Sequence, residues 1–289
     1  MIVSMTGFAA ASAEVPGAAL VAELRSVNHR YLDLSLRLPD ELRALEPSLR
    51  ERMAAQLKRG KVELRLALNR STPGGSTRLA VDSDRVKALS AAAAEVARLV
   101  PGATPMSVNE VLRWPGVLTE PSADPDELAA RAHALVDEVL GELAASRARE
   151  GAKLAGILSV RCDEIAAQVE RVAPRIPAAH AAWTEKLNAR LREAGLDPDE
   201  ERMKQEFALF ATKVDVDEEL ERLGAHVAEF RRVLATGGAA GKRLDFLAQE
   251  LHREANTLGS KSVDAEVSRA ALELKVLIEQ MREQVQNIE

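Results

Sequence analysis

Between residues 2 and 70 the hydrophobic positions recur at every second residue. Leu20, Ala22 and Leu24 alternate with Val21, Glu23 and Arg25; Leu32, Leu34, Leu36 and Leu38 with Asp33, Ser35 and Arg37; Val62, Leu64, Leu66 and Leu68 with Glu63, Arg65 and Ala67. Period two sends alternate side chains to opposite faces, so each run predicts a strand with one apolar and one wet side. Between the second and third runs the period lengthens. Pro39-Asp40-Glu41 opens a segment with Leu42, Leu45, Leu49, Met53 and Leu57 at helical spacing, and Lys58-Arg59-Gly60 reads as a helix stop. The chain starts as a β-rich layer with a helix packed on one face.

After a loop over 71–76, rich in Pro, Gly and Ser, nearly everything is helical. Asp82 or Ser83 caps a helix to about residue 99, and Met106-Ser107 introduces a short one that ends at Trp114-Pro115-Gly116. From Asp124-Pro125 to Val172 there is no proline, and Leu128, Leu135, Val139, Leu143, Leu154, Leu158, Ile165, Val169 and Val172 mark an apolar stripe. One helix of that length spans about 70 Å at 1.5 Å per residue, enough to reach a second domain or subunit. Pro174 and Pro177 break it, and another helix runs from Trp183 to Glu193 and stops at Gly195-Leu-Asp-Pro198. Further helices are expected over 199–210 running into 215–235, then 242–257 and 263–288. The glycines of Gly237-Gly238-Ala-Ala-Gly241 read as a flexible connector, because they follow a helix and lack the spacing of a phosphate loop. The predicted class is α+β, divided into a β-rich part (1–120), a long helical arm (121–200) and a C-terminal helical domain (201–289).

Composition narrows the chemistry. The 289 residues include one cysteine, Cys162, which excludes an internal disulfide and a Cys-rich zinc site. Charged residues interrupt every apolar stretch, which points to a soluble, cytoplasmic protein without a membrane span. Aromatic residues are 3% of the chain, too few for an extended stacking platform. The net charge of −6 hides an asymmetry: residues 1–80 carry 12 basic and 8 acidic groups, whereas 201–289 carry 13 and 17. A basic N-terminal part can attract an anionic partner, although an ordinary solvated surface has the same balance.

Motifs of serine hydrolases, zincins and P-loop NTPases are absent. Three clusters remain. Arg25, Asn28, His29 and Arg30 fall at the junction of two strands, where guanidinium forks, an amide and an imidazole suit an anion; a polar hairpin in water is the plainer reading. Glu219, Arg222 and His226 lie at i, i+3 and i+7 on one helix face, beside the apolar Leu220, Leu223, Val227 and Phe230. That line of groups suits a metal or proton transfer, and equally a solvated face with intrahelical ion pairs. In the third, Glu250 and Glu254 are i, i+4, followed by Asn256, Ser260, Lys261, Asp264 and Glu266. Oxygen donors so clustered suit Mg²⁺ or Mn²⁺; helix capping explains Ser262 or Asp264 without one.

Several segments carry a resemblance: Ser4-Met-Thr-Gly-Phe8, Glu23-Leu-Arg-Ser-Val-Asn-His-Arg-Tyr-Leu32, Arg59-Gly-Lys-Val-Glu63, Leu112-Arg-Trp-Pro-Gly-Val117, and most of Arg243 to Glu289, notably Ser260-Lys-Ser262 and Ile278-Glu-Gln-Met-Arg-Glu-Gln284. From end to end the chain resembles the YicC/YloC-type endoribonucleases. The resemblance implies an intracellular, metal-dependent endoribonuclease of small-RNA turnover, assembled as a homo-oligomer, a hexamer, and working alongside other RNA-decay enzymes. On that basis Arg25, Asn28, His29, Arg30, Arg222, Arg253 and Lys261 are expected to hold RNA. Glu219, Glu250, Glu254 and Glu266 are expected to hold Mg²⁺ or Mn²⁺, with His226, Glu250 and Glu254 as the catalytic set. His252 is a second proton-transfer candidate, at a point where the family tends to carry Asn. An RNA-binding adaptor that recruits another nuclease, or an oligomeric scaffold, is the non-enzymatic alternative.

Overall fold

The computed structural model describes residues 1–70, 80–100, 102–119, 124–193 and 215–289. The loop expected over 71–76, the stop at 195–198 and the helix expected over 199–210 lie outside them. The α+β class is as expected. Strands β1 (Gly7–Val15), β2 (Ala18–Val27), β3 (Leu32–Arg37) and β4 (Gly60–Arg70) form one sheet in the order β1-β2-β4-β3. The β1-β2 and β2-β4 pairs are antiparallel and β3-β4 is parallel. Register aligns the apolar sets, with Leu20 opposite Leu68, Ala22 opposite Leu66 and Leu24 opposite Leu64. One face therefore holds Leu20, Ala22, Leu24, Val62 and Leu64 fully buried, and each buried leucine contributes about 1.5–3 kcal/mol. The other face carries Phe8, Glu23, Arg25 and Arg65 in solvent.

The helix expected from Leu42 to Leu57 is divided. A 3-10 turn covers Asp40–Leu45 and α1 covers Glu46–Gln56; Pro47 has no N–H to donate to the Arg43 carbonyl, which takes the Glu46 N–H instead, and Glu46 itself keeps helical backbone. Gly60 does not end this helix; it opens β4, where its N–H donates to the Tyr31 carbonyl at 3.2 Å. A small outlying unit follows: β5 (Ala80–Val81) paired with β6 (Leu118–Thr119), α2 (Ser83–Leu99) capped by Asp82, and α3 (Val108–Arg113) with a Ser107–Glu110 capping box. No residue of α2 is buried.

Helix α4 (Pro125–Val172) is continuous over 48 residues, capped by Asp124. It serves two cores. Its residues from Leu128 to Leu143 pack under the sheet with Leu49 and Met53, and those from Leu154 to Val172 pack in the C-terminal bundle. After a 3-10 turn at Ala173–Arg175, α5 begins at Ile176, earlier than expected, and runs to Glu193; Pro177 sits in its first turn, where a missing N–H is harmless. The bundle is completed by α6 (Asp217–Thr236), α7 (Gly241–Lys261) and α8 (Ala265–Val285). Among the described residues no helix is long and apolar enough to cross a membrane.

The two ends of the chain meet between the cores. Met5 N–H donates to the Asn287 carbonyl at 2.8 Å, Glu289 N–H donates to the Val3 carbonyl at 3.0 Å, and Ser4 bridges to Ile288. This pair of extended segments crosses α4 at Gly151, where a Cβ would come within 2.2 Å of the Ile2 carbonyl oxygen. Buried Arg147 fixes the crossing by donating to the Ser4 carbonyl at 2.6 Å and pairing with Glu289. The glycine cluster between α6 and α7 also differs from expectation. It is a tight packed turn: a Cβ on Gly237 would lie 2.2 Å from the Met1 nitrogen, and one on Gly241 2.3 Å from the Ile288 oxygen.

Candidate functional site

Helices α6 and α7 form an antiparallel hairpin because each has an apolar stripe to bury: Leu220, Leu223, Val227 and Phe230 on one, Leu244, Leu247, Leu251 and Leu258 on the other. Once those stripes interlock, the polar residues beside them must face each other. Along the seam Glu219 takes Lys261 at 2.9 Å, Arg222 reaches Glu254 at 3.8 Å, and Glu229 takes Arg243. Between the last two pairs sit His226 and Glu250, which with Glu254 each offer one ligand atom within 4.8 Å of the others. Two clusters that are separate in sequence are thus one site. All three expected catalytic residues are in it.

Burial grades the members. Glu254 is 3% exposed, while His226 and Glu250 are half-buried and open to solvent on one side. Arg222 also pairs with Glu218, and Arg253 lies 3.8 Å from Glu250. Cations therefore offset the carboxylates, as burial of charge requires. Glu219 is equally buried, but only its Oε1 is used, by Lys261; Oε2 has no hydrogen-bond partner. An orphaned buried carboxylate oxygen is costly unless a cation or water satisfies it.

The other expected metal ligands lie apart from this group. Glu219 is one rung along the seam. Glu266 is in the first turn of α8, paired with Arg269 at 2.8 Å. Asp264 caps that helix, accepting from Glu266 N–H at 2.9 Å and Val267 N–H at 3.0 Å, with Arg175 nearby. The Val267 hydrogen bond leads in holding its carboxyl below the usual range, with that from Glu266 and the Arg175 charge adding to it. Asn256 Nδ2 lies 3.0 Å from His252 Nδ1, and Ser260 donates to the Thr257 carbonyl. At Glu229 the hydrogen bond from Arg232 leads in lowering the pKa to about 2. Cys162 is buried, and desolvation pushes its thiol up to about 11, so it is no nucleophile at neutral pH.

The basic strand junction is built differently. Arg25, Asn28, His29 and Arg30 are all exposed at the end of β2. Backbone contacts shape the turn: Asn28 donates to the Gln286 carbonyl at 2.7 Å, Arg59 donates to the His29 carbonyl at 3.0 Å, and Arg30 lies over the Tyr31 ring. His29 Nδ1 is 3.0 Å from the Tyr31 carbonyl and 3.4 Å from the Tyr31 N–H, so its tautomer sets which of the two it bonds. Asn28 thus ties the junction to the end of α8. No hydrogen bond or ion pair joins it to His226, Glu250 or Glu254 among the described residues. Sequence reasoning missed Arg59, hidden in an apparent helix stop, and Arg147, an unremarkable cation in a long helix.

Comparison with known proteins decides the lineage of this arrangement. Residues 2–156 match the family described as endoribonuclease YicC-like, N-terminal region, and residues 172–289 match endoribonuclease YicC-like, C-terminal. The chain belongs to the YicC-like endoribonuclease family. A protein of Haemophilus influenzae named probable endoribonuclease YicC is 40% identical over 289 residues, and one of Clostridioides difficile with the same name is 31% identical over 294, with both chains covered in full in each case. The two YicC-like regions divide within α4, the helix that both cores share. Their boundary separates the basic junction from the seam site.

Proposed function

We propose that the protein is a divalent-cation-dependent endoribonuclease that cuts phosphodiester bonds in structured or small regulatory RNA. One observation carries this reading: an imidazole and two carboxylates from separate helices converge within 4.8 Å on a surface partly open to solvent. Two carboxylates with open positions beyond them and an imidazole at their edge suit a catalytic cation, and the orphaned oxygen of Glu219 nearby supports a positively charged occupant of the seam. Carboxylate oxygens suit Mg²⁺ or Mn²⁺, and an imidazole left unligated beside them stays free for proton transfer. When bound, such a cation supplies the charge that offsets the negative charge developing on the scissile phosphate.

The side chains divide the remaining work. Glu250 and Glu254 hold the cation, and His226, at the open edge, moves a proton to or from the reacting oxygens. Arg222 and Lys261 keep the buried carboxylates in place. Arg25, Arg30 and Arg253 meet phosphates, with Asn28 and His29 shaping the turn that presents two of them. A homo-oligomer, a hexamer, brings the junction of one copy towards the seam of another; uncovered α2 and the exposed apolar pair Leu272 and Val276 on α8 support contact between copies. A cytoplasmic location and cooperation with other RNA-decay enzymes belong to the same reading.

The test is cleavage of a hairpin RNA by highly purified wild type and by the Glu250→Gln plus Glu254→Gln variant, with and without EDTA. Wild type should cut only with metal, and the variant should not cut. Equal cutting in all samples would sink the proposal. RNA binding without cleavage in any sample would favour the adaptor. Products ending in a 2′,3′-cyclic phosphate would indicate attack by the 2′-OH, with His29 a candidate base, and 3′-hydroxyl ends would indicate attack by water.

A further inference from the structure

Helix α7 is cleanly two-sided except at one position. Leu244, Leu247, Ala248, Leu251, Ala255 and Leu258 face the bundle and are buried, whereas Phe246 stands on the opposite side with 58% of its surface exposed. Its neighbours there are Lys242 at i−4 and Arg253 at i+7, both exposed. Lys242 makes no ion pair among the described residues, and Arg253 has only the long contact to Glu250. Glu250 itself is i+4 from Phe246, which places its Cβ about 6 Å away on the same face. A large ring in water, bracketed by cations and one helical turn from a candidate metal ligand, has the makings of a nucleic-acid contact. A protein interface would instead need contiguous apolar surface, and the residues around Phe246 on this face are Lys242, Arg243, Gln249, Glu250 and Arg253, with Arg243 paired to Glu229.

We propose that Phe246 is a substrate-positioning residue that stacks on an unpaired base of RNA, while Lys242 and Arg253 hold the flanking phosphates. This rests on the endoribonuclease reading and deepens it. One stacked base beside the cation site would fix the strand so that a particular phosphate, the next along, meets Glu250 and His226. Every base has a face on which a ring can stack, so the contact sets the register of cutting and tolerates many sequences. It also fits a chain poor in aromatics: a single ring suffices where an extended platform is absent.

The experiment uses the full chain in EDTA, so that binding is measured without cleavage. Affinities for a single-stranded oligoribonucleotide are compared for wild type, Phe246→Ala, Phe246→Leu and Phe246→Trp, with the particle mass followed by light scattering. Alanine should weaken binding about 5- to 100-fold, leucine should do nearly as much, and tryptophan should restore it. The salt dependence should keep its slope, since no phosphate contact is lost. Wild-type affinity in the alanine variant, full rescue by leucine, or no RNA binding by wild type would overturn the proposal. So would a fall in particle mass, which would mark the ring as a contact between copies. These outcomes are separate from the EDTA and Glu250/Glu254 cleavage result, which tests the parent reading.

Discussion

The two candidate surfaces hold their functional groups in opposite ways. At the strand junction Arg25 and Arg30 project into solvent, and what is fixed is the backbone beneath them, through Asn28, His29 and Arg59. In the α6-α7 seam it is the side chains that are fixed: Glu254 is buried against Arg222, and His226 and Glu250 close on it. Mobile exposed cations attract a polyanion over distance but cannot place one atom accurately. Half-buried groups with charged neighbours are costly to assemble and placed well enough for chemistry. The junction is suited to capture and the seam to reaction.

The sharpest way to break that contrast is kinetic. Glu254→Gln should lower kcat at least about 100-fold while RNA affinity in EDTA stays within about threefold, as expected for a group acting on the reacting atoms. Arg25→Ala with Arg30→Ala should do the reverse, raising KM about tenfold at moderate salt and flattening the salt dependence of binding by about two phosphate contacts. If both variants change KM and kcat together, capture and reaction are one surface.

The union of the two regions can be tested by stability. Gly→Ala in a helix normally stabilises by about 0.5–1 kcal/mol. At Gly156, where nothing lies within 4 Å of a Cβ, that is the expected result. At Gly151 the sign should invert, with a loss of about 1–3 kcal/mol in denaturant unfolding, because the new methyl meets the backbone of Ile2. Equal effects at the two sites would mean that the terminal segments do not cross the helix there.

The smallest effect concerns the capped start of α8. Asp264→Ala should cost about 1 kcal/mol and Asp264→Asn less, since an amide oxygen still caps. The pKa of Asp264 is lowered in the folded state, so its contribution is complete above the ordinary aspartate range and is lost as pH falls below about 4. Acid unfolding of the alanine variant should therefore converge on wild type at low pH.

Much of the architecture was legible because local rules decide it. Alternating Leu32 to Leu38 can bury one side only as a strand, and Asp82, Ser107, Asp124 and Asp264 cap helices through their own side chains. Less legible were features set by distant neighbours. Gly60 reads as a helix stop until Tyr31 and β4 claim it, and Gly237 to Gly241 read as a flexible connector until both chain ends pack against them. Of the candidate site, the residues were visible but their grouping was not. His226 is 24 residues from Glu250, and Glu219 and Glu266 offer the same carboxylate chemistry along the chain.

The sequence by itself determined the strands, the caps, the long unbroken helix, the chemistry on offer and, through its end-to-end resemblance, the family. These depend on periods of two or 3.6, on side chains reaching their own backbone, and on motifs that can be read along the chain. Tertiary structure alone decided which carboxylates share a site with the histidine. That choice was made when Leu220, Leu223, Val227 and Phe230 interlocked with the leucines of α7, since hydrophobic burial sets the register and the polar groups beside it must accept the partners they are given.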